Sequence, residues 1–125
     1  MREVPLFAGC SPKELRQIAT AGKILSRTAG SHIVREGTGG HAFFLTLAGT
    51  VDVLRGRERI AQLGEGEFFG ETALLTDHER NATAMAVTDV ELFTMTEWQF
   101  KAVLMANPEI AYAILRSVVD RQPES

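Results

Sequence analysis

Gly64-Glu65-Gly66-Glu67-Phe68-Phe69-Gly70-Glu71-Thr72-Ala73-Leu74-Leu75, followed by Arg80-Asn81-Ala82-Thr83, is the stretch on which the reading of this chain turns. Gly70 has no Cβ, so its backbone can take shapes, or approach a ligand, that other residues block. Thr72 to Leu75 has the length of one helical turn, and the free amides that open such a turn attract anions. Arg80 carries a planar fork of donors that matches phosphate oxygens two at a time. Ionised Glu71 only accepts hydrogen bonds, which suits a sugar hydroxyl. Asn81 and Thr83 sit two apart on what reads as a strand, so their side chains share a face. An acid, glycine and turn amides, and an arginine within eleven residues suit a sugar phosphate.

Outward from this stretch, the middle of the chain reads as strands. From Lys23 to Thr96 short apolar runs alternate with turns at Ala29-Gly30, Gly37-Thr38-Gly39-Gly40, Gly49, Gly56 and Gly64-Glu65-Gly66. Regular short strands with such punctuation predict an antiparallel barrel or roll. Phe43, Leu45 and Leu47 alternate with Phe44, Thr46 and Ala48, so one face is a candidate core face. Val51 and Val53 repeat the pattern, and Val87, Leu92, Phe93 and Met95 supply the last strands.

Both ends read as helix. Ser11 is an N-cap, Pro12 suits the first helical position, and Leu15, Ile18 and Ala19 give the apolar spacing up to Gly22. Thr96 caps a second helix, with Glu97 in its first turn and Trp98, Phe100, Val103 and Leu104 as its apolar surface. Asn107-Pro108 ends it, because the residue before proline is pushed out of helical geometry. Pro108 opens a last helix to about Arg121, with Ile110, Ile114, Leu115, Val118 and Val119 as its stripe. Gln122 to Ser125 is expected to fray. The predicted class is α+β: an antiparallel, jelly-roll-like β-roll (23–96, with its phosphate segment at 64–83) between an N-terminal helical segment (1–22) and C-terminal helices (97–125). A roll of this size can enclose one small ligand.

Composition narrows the possibilities. The chain has 125 residues, the size of one domain, with 13 basic and 16 acidic side chains and a net charge of −3. A mildly acidic balance argues against a non-specific nucleic-acid binder. Cys10 is the single cysteine, so no internal disulfide and no CxxC metal pattern exists. A reducing, cytoplasmic compartment fits this usage. No apolar run reaches the length of a membrane span, and the first residues lack a signal pattern.

Phe69-Gly70-Glu71-x-Ala73-Leu74, then Arg80-x-Ala82-Thr83, resembles the phosphate-binding cassette of the cyclic-nucleotide-binding domain family. That family includes regulatory subunits of cyclic-nucleotide-dependent kinases, cyclic-nucleotide-gated channels and the bacterial catabolite activator. Pro5-Leu6-Phe7 with Glu14-Leu15 is similar to the family's first helix. Ile33-Val34-x-Glu36-Gly37, Phe43-Phe44-Leu45 and Gly49-x-Val51-x-Val53 resemble its first strands. The resemblance covers nearly the whole chain. It implies that Arg80 pairs with the cyclic phosphate and Glu71 with the ribose 2′-hydroxyl. It also implies that Gly70, Thr72 and Ala73 border the ligand through the cassette backbone, and that Asn81 and Thr83 lie under the phosphate and near the base. Asn81 departs from the family's usual alanine, serine or threonine, which leaves cAMP against cGMP open. Tyr112, Arg116 and Val119 are candidates to approach a purine from the last helix.

Blander readings stand beside these. An isolated Gly-Glu pair is a turn with a solvated acid, and an isolated arginine is a surface group. His32, His41 and His78 match no metal-ligand spacing, and the absence of a His-x-His pair argues against a metal-dependent roll enzyme. Arg55, Arg57 and Arg59 around Gly56 read as a solvated hairpin tip rather than a nucleic-acid site. Cys10 reads as an inert thiol. No nucleophile–base pair and no Gly-Lys-Ser or Gly-Lys-Thr loop accompanies the cassette, so no enzymatic activity, catalytic residue, metal or cofactor is expected. The expected function is a regulatory module that binds a cyclic nucleotide, cAMP before cGMP, and moves its C-terminal helices. One alternative is a degenerate interaction domain without a nucleotide. Another is the sensor fragment of a larger transcription regulator, channel or enzyme. A homodimer through the C-terminal helix, or a fused output domain, is the expected partner, with no direct nucleic-acid contact.

Overall fold

The structure, a computed structural model, describes residues 10–35, 42–69 and 82–121, and side chains as far as residue 116. Ser11 caps the first helix, α1 (Pro12–Ala21). Its hydroxyl accepts from the Glu14 amide at 3.2 Å, and the Glu14 carboxylate accepts from the Ser11 amide at 2.9 Å. Two otherwise unpaired amides are thereby satisfied, and Pro12 has none to lose. Ile18 is buried with Leu15 and Ala21 packed beside it. Ala19, expected on that face, is exposed; the i, i+3 diagonal carries the contact and the i+4 position falls outside it.

Eight strands follow among the described residues: β1 (Lys23–Arg27), β2 (His32–Val34), β3 (Ala42–Ala48), β4 (Val51–Arg55), β5 (Glu58–Leu63), β6 (Phe68–Phe69), β7 (Thr83–Ala86) and β8 (Val90–Thr96). They form two four-stranded antiparallel sheets, ordered β1-β8-β3-β6 and β2-β7-β4-β5. Two helices close the chain, α2 (Glu97–Ala106) and α3 (Pro108–Arg121). This is the β-roll flanked by helices that the sequence pattern predicts.

The first sheet is a middle layer. Phe43 and Leu45 of β3, Phe93 and Met95 of β8, and Phe68 join Ile18, Phe100, Val103, Ile110 and Ile114 in one core beneath the helices. Their sequence neighbours Phe44, Leu92, Val90 and Phe69 turn the other way. They join Val51, Leu63, Ala84 and Ala86 in a second core between the sheets. Both faces of β3 are therefore buried, where the sequence reading expected one. Each diphenylalanine gives one ring to each core. Phe43 stacks on Phe100 with centroids 4.6 Å apart, and Phe44 stacks on Phe69 at 5.0 Å. Val87, expected to supply strand, sits exposed in the turn after β7.

Thr96 caps α2 as Ser11 caps α1, with Gln99 as the reciprocal partner. Phe100 and Val103 are buried as expected, but Trp98 is 80% exposed. It lies on the helix face away from the sheet. Asn107 ends α2, its amide and its side-chain Nδ2 both donating to the Val103 carbonyl. In α3, Ile110 and Ile114 are buried, whereas Leu115 is exposed rather than part of the core stripe.

Candidate functional site

Chain connectivity gives the roll two different ends. At one end β1 passes to β2, β3 to β4, β5 to β6 and β7 to β8 through short turns. At the other end β4 turns into β5, and residues 36–41 and 70–81 each run from one sheet to the other. Ala42 and Phe69 mark that end in the first sheet, and Val34 and Thr83 in the second. The stretch 70–81 therefore joins the sheets at the same end of the roll as residues 36–41, whereas Gly64 to Glu67, the start of the candidate phosphate segment, form the turn between β5 and β6 at the opposite end.

Its two anchors are well defined. Phe69, the residue before Gly70, is buried between the sheets against Phe44. Phe68 faces the helical core, its ring 5.6 Å from that of Phe43. On the far side of the segment, Ala82 leads into β7, where Thr83 opposes Leu54 and Ala84 opposes both Val53 and Val34. Ala84 and Ala86 point into the inter-sheet core, so Thr83 and Met85 lie half-buried on the outer face.

Gly70, Glu71, Thr72, Ala73, Arg80 and Asn81 lie outside the described residues, as do Gly37 to Gly40, His41 and His78. Thr83 is the candidate residue that the structure places. The interior wall near this end is apolar: Phe44, Phe69 and Ala84 are buried, with Ala42, Val34 and Val53 packed against them. Such a wall suits the flat face of a base and offers nothing to an anion. Among the described residues, the positive charge near this end is carried by Arg35 and by Arg55, Arg57 and Arg59 of the β4–β5 hairpin. The sequence reading did not single out Ala84. The signal was present in Ala82, Ala84 and Ala86, small residues at the two-residue period of a strand.

Other parts of the molecule carry less. A groove of about 410 Å³ lined by Arg27, Thr28, Asp89 and Glu91 lies at the opposite end of the roll. Among the described residues, no three His, Cys, Asp or Glu side chains gather as metal ligands, and no helix is long and apolar enough to cross a membrane. Cys10 is buried in the helical core, and burial, then Glu14 and Glu109, push its thiol pKa up. A thiol held protonated is a poor nucleophile.

The comparisons with known proteins agree with this architecture. The model of a family described as the cyclic nucleotide-binding domain matches residues 25–107. The chain is 38% identical over 106 residues to the cAMP-dependent protein kinase regulatory subunit of Colletotrichum orbiculare, covering 83% of this chain and 27% of that protein. The crystal structure of the Thermus thermophilus catabolite activator protein superposes with a TM-score of 0.85 at 32% identity, covering 94% of this chain and 57% of that one. The regulatory subunit of a cAMP-independent protein kinase A from Trypanosoma brucei superposes equally well, with a TM-score of 0.85 at 25% identity over 98% of this chain and 45% of that one. The chain thus spans roughly a quarter of its kinase-subunit relative and little more than half of the activator. It belongs to the cyclic nucleotide-binding domain family.

Proposed function

We propose that this member of the family is a single regulatory binding module whose ligand is a cyclic nucleotide, cAMP before cGMP. What supports the reading is the match of residues 25–107 to the cyclic nucleotide-binding domain, together with Phe69 and Thr83, the described residues on either side of the Glu71 and Arg80 stretch, which stand at the end of the roll whose inner wall is apolar. Arg80 would take the cyclic phosphate, Glu71 the ribose and Gly70, Thr72 and Ala73 the backbone contacts, with the stretch that holds Asn81 and Thr83 under the phosphate and near the base. The kinase relative's description as cAMP-dependent supports cAMP as the first candidate. Binding would shift α2 and α3 between two arrangements, by as much as the ligand's affinity differs between them. The module would act in the cytoplasm without catalysis, as a homodimer through α3 or beside an output domain.

A charge-assisted hydrogen bond contributes about 1.5–3 kcal/mol net, whereas a micromolar ligand needs about 8 kcal/mol in total. Arg80 therefore shares the binding with Glu71, the segment's amides and the apolar wall. Calorimetric titration with cAMP should show Arg80→Ala binding at least about tenfold more weakly, a loss of about 1.4 kcal/mol. An unchanged dissociation constant overturns the assignment of Arg80.

The likeness to a cAMP-independent kinase subunit favours one second reading, a module that keeps the roll without a physiological cyclic nucleotide. Thermal unfolding with cAMP, cGMP and AMP in turn separates the two. A ligand at 100 times its dissociation constant should stabilise the fold by about 2.7 kcal/mol. No shift with any cyclic nucleotide selects the second reading.

A further inference from the structure

The described charges differ between the two ends of the roll. At the end that bears Phe69 and Thr83, Arg35 follows β2, Arg55 closes β4, Arg57 sits in the hairpin turn and Arg59 is the second residue of β5, all of them exposed. Against them stands Glu58; Asp52, lower in the sheet, lies 3.8 Å from Arg59. At the opposite end the order reverses: Glu65, Glu67, Asp89 and Glu91 are exposed beside Arg27. The hairpin is held in register by the β4–β5 ladder, with Arg55 opposite Glu58 and Leu54 opposite Arg59. Its arginines therefore sit on a paired hairpin, past the register shift between Val53 and Leu54.

An anion bound for this end has an electrostatic obstacle. The two crossings that leave it carry Glu36, Glu71, Asp77 and Glu79 against the single Arg80, in a chain whose net charge is −3. We propose that the arginine-bearing β4–β5 hairpin is an electrostatic guide, which offsets those carboxylates and draws an anionic ligand towards the mouth of the roll without contacting it once bound. This rests on the cyclic-nucleotide reading and deepens it. Fixed charge near a site acts on association rates, by a factor of ten to a thousand for a whole field, and fades as salt screens it. The hairpin should therefore govern how fast the ligand arrives and leave untouched how long it stays.

Stopped-flow fluorescence with a fluorescently labelled cAMP tests this in the intact chain. Arg57→Glu should lower the association rate constant about fivefold at low ionic strength, with Arg57→Ala between it and the parent. The difference should shrink towards unity near 0.5 M salt, and the dissociation rate constant should not change. Arg27→Glu makes the same change in net charge at the opposite end and should alter association by less than about twofold. Equal effects of Arg57→Glu and Arg27→Glu would reduce the guide to net charge and overturn the proposal. An effect confined to dissociation would make Arg57 a direct contact and overturn it too. Absence of binding by the parent chain would overturn the cyclic-nucleotide reading and this inference with it. Binding by the parent with an association rate indifferent to Arg57 would sink this inference alone.

Discussion

Single residues show where the fold is tight and where it tolerates change. Thr46 of β3 is fully buried, and its hydroxyl has no hydrogen-bond partner. An unpaired buried hydroxyl costs about 1–3 kcal/mol of desolvation. Thr46→Val keeps the shape and removes the group, so chemical denaturation should show equal or greater stability. A loss above about 1 kcal/mol would mean that the hydroxyl is satisfied after all. Gly49 is the opposite case. Its φ is +92°, and a Cβ there would collide with the Asp89 carbonyl and lie 2.8 Å from Thr88 Oγ1. A left-handed conformation at a non-glycine residue costs about 1–3 kcal/mol before any clash. Gly49→Ala should therefore lower the unfolding free energy by at least about 2 kcal/mol, read from the same denaturation curve. Cys10 gives a third check: with its thiol buried and its pKa raised, a disulfide exchange reagent should modify it slowly in the native chain and fast in denaturant.

Elements extend the argument to what a sequence can reveal. The capping pair of α1 is local, and it is written in Ser11-Pro12-Lys13-Glu14. Hydrogen bonding to Ser11, chiefly to its backbone, lowers the Glu14 pKa in the fold. A depressed carboxyl pKa adds stability that is full above the unfolded glutamate value and is lost as pH falls through the folded one. Glutamine can hold the same cap without titrating. The melting temperature of Glu14→Gln should therefore fall less between pH 6 and pH 3 than that of the parent; identical slopes would remove Glu14 from the acid response. Caps, proline boundaries and glycine turns were legible because each depends on neighbours in sequence. Trp98, Ala19 and Leu115 were assigned to buried faces and are exposed, because burial depends on which layer lies opposite. The same division applies to the candidate site. Residue type and spacing single out Glu71 and Arg80 as candidates, whereas the wall containing Ala84 needed the pairing of β7 with β2 and β4.

At the scale of the molecule, one sheet touches both the end of the roll that holds the candidate site and the C-terminal helices. Phe43 packs under Phe100 of α2, and its neighbour Phe44 packs on Phe69, the residue that leads into the phosphate segment. Under the proposed function, a ligand that repositions Phe69 would press on a sheet whose other face holds α2 and, through Ile110 and Ile114, α3. Well-packed layers pass such a change on as a shift between discrete arrangements, with coupling free energies of about 1–3 kcal/mol. Hydrogen–deuterium exchange with and without cAMP measures the shift directly. Protection should rise in peptides covering residues 69–83, and exchange should change in peptides covering 97–121, by about fivefold or more in the opening equilibrium. Residues 28–31 and 87–89, in the turns at the opposite end of the roll, should exchange as before. Protection at 69–83 with no change in 97–121 would leave the binding site standing and remove the helices from the response. A change in 97–121 without protection at 69–83 would place the ligand somewhere other than the end of the roll where Phe69 and Thr83 stand.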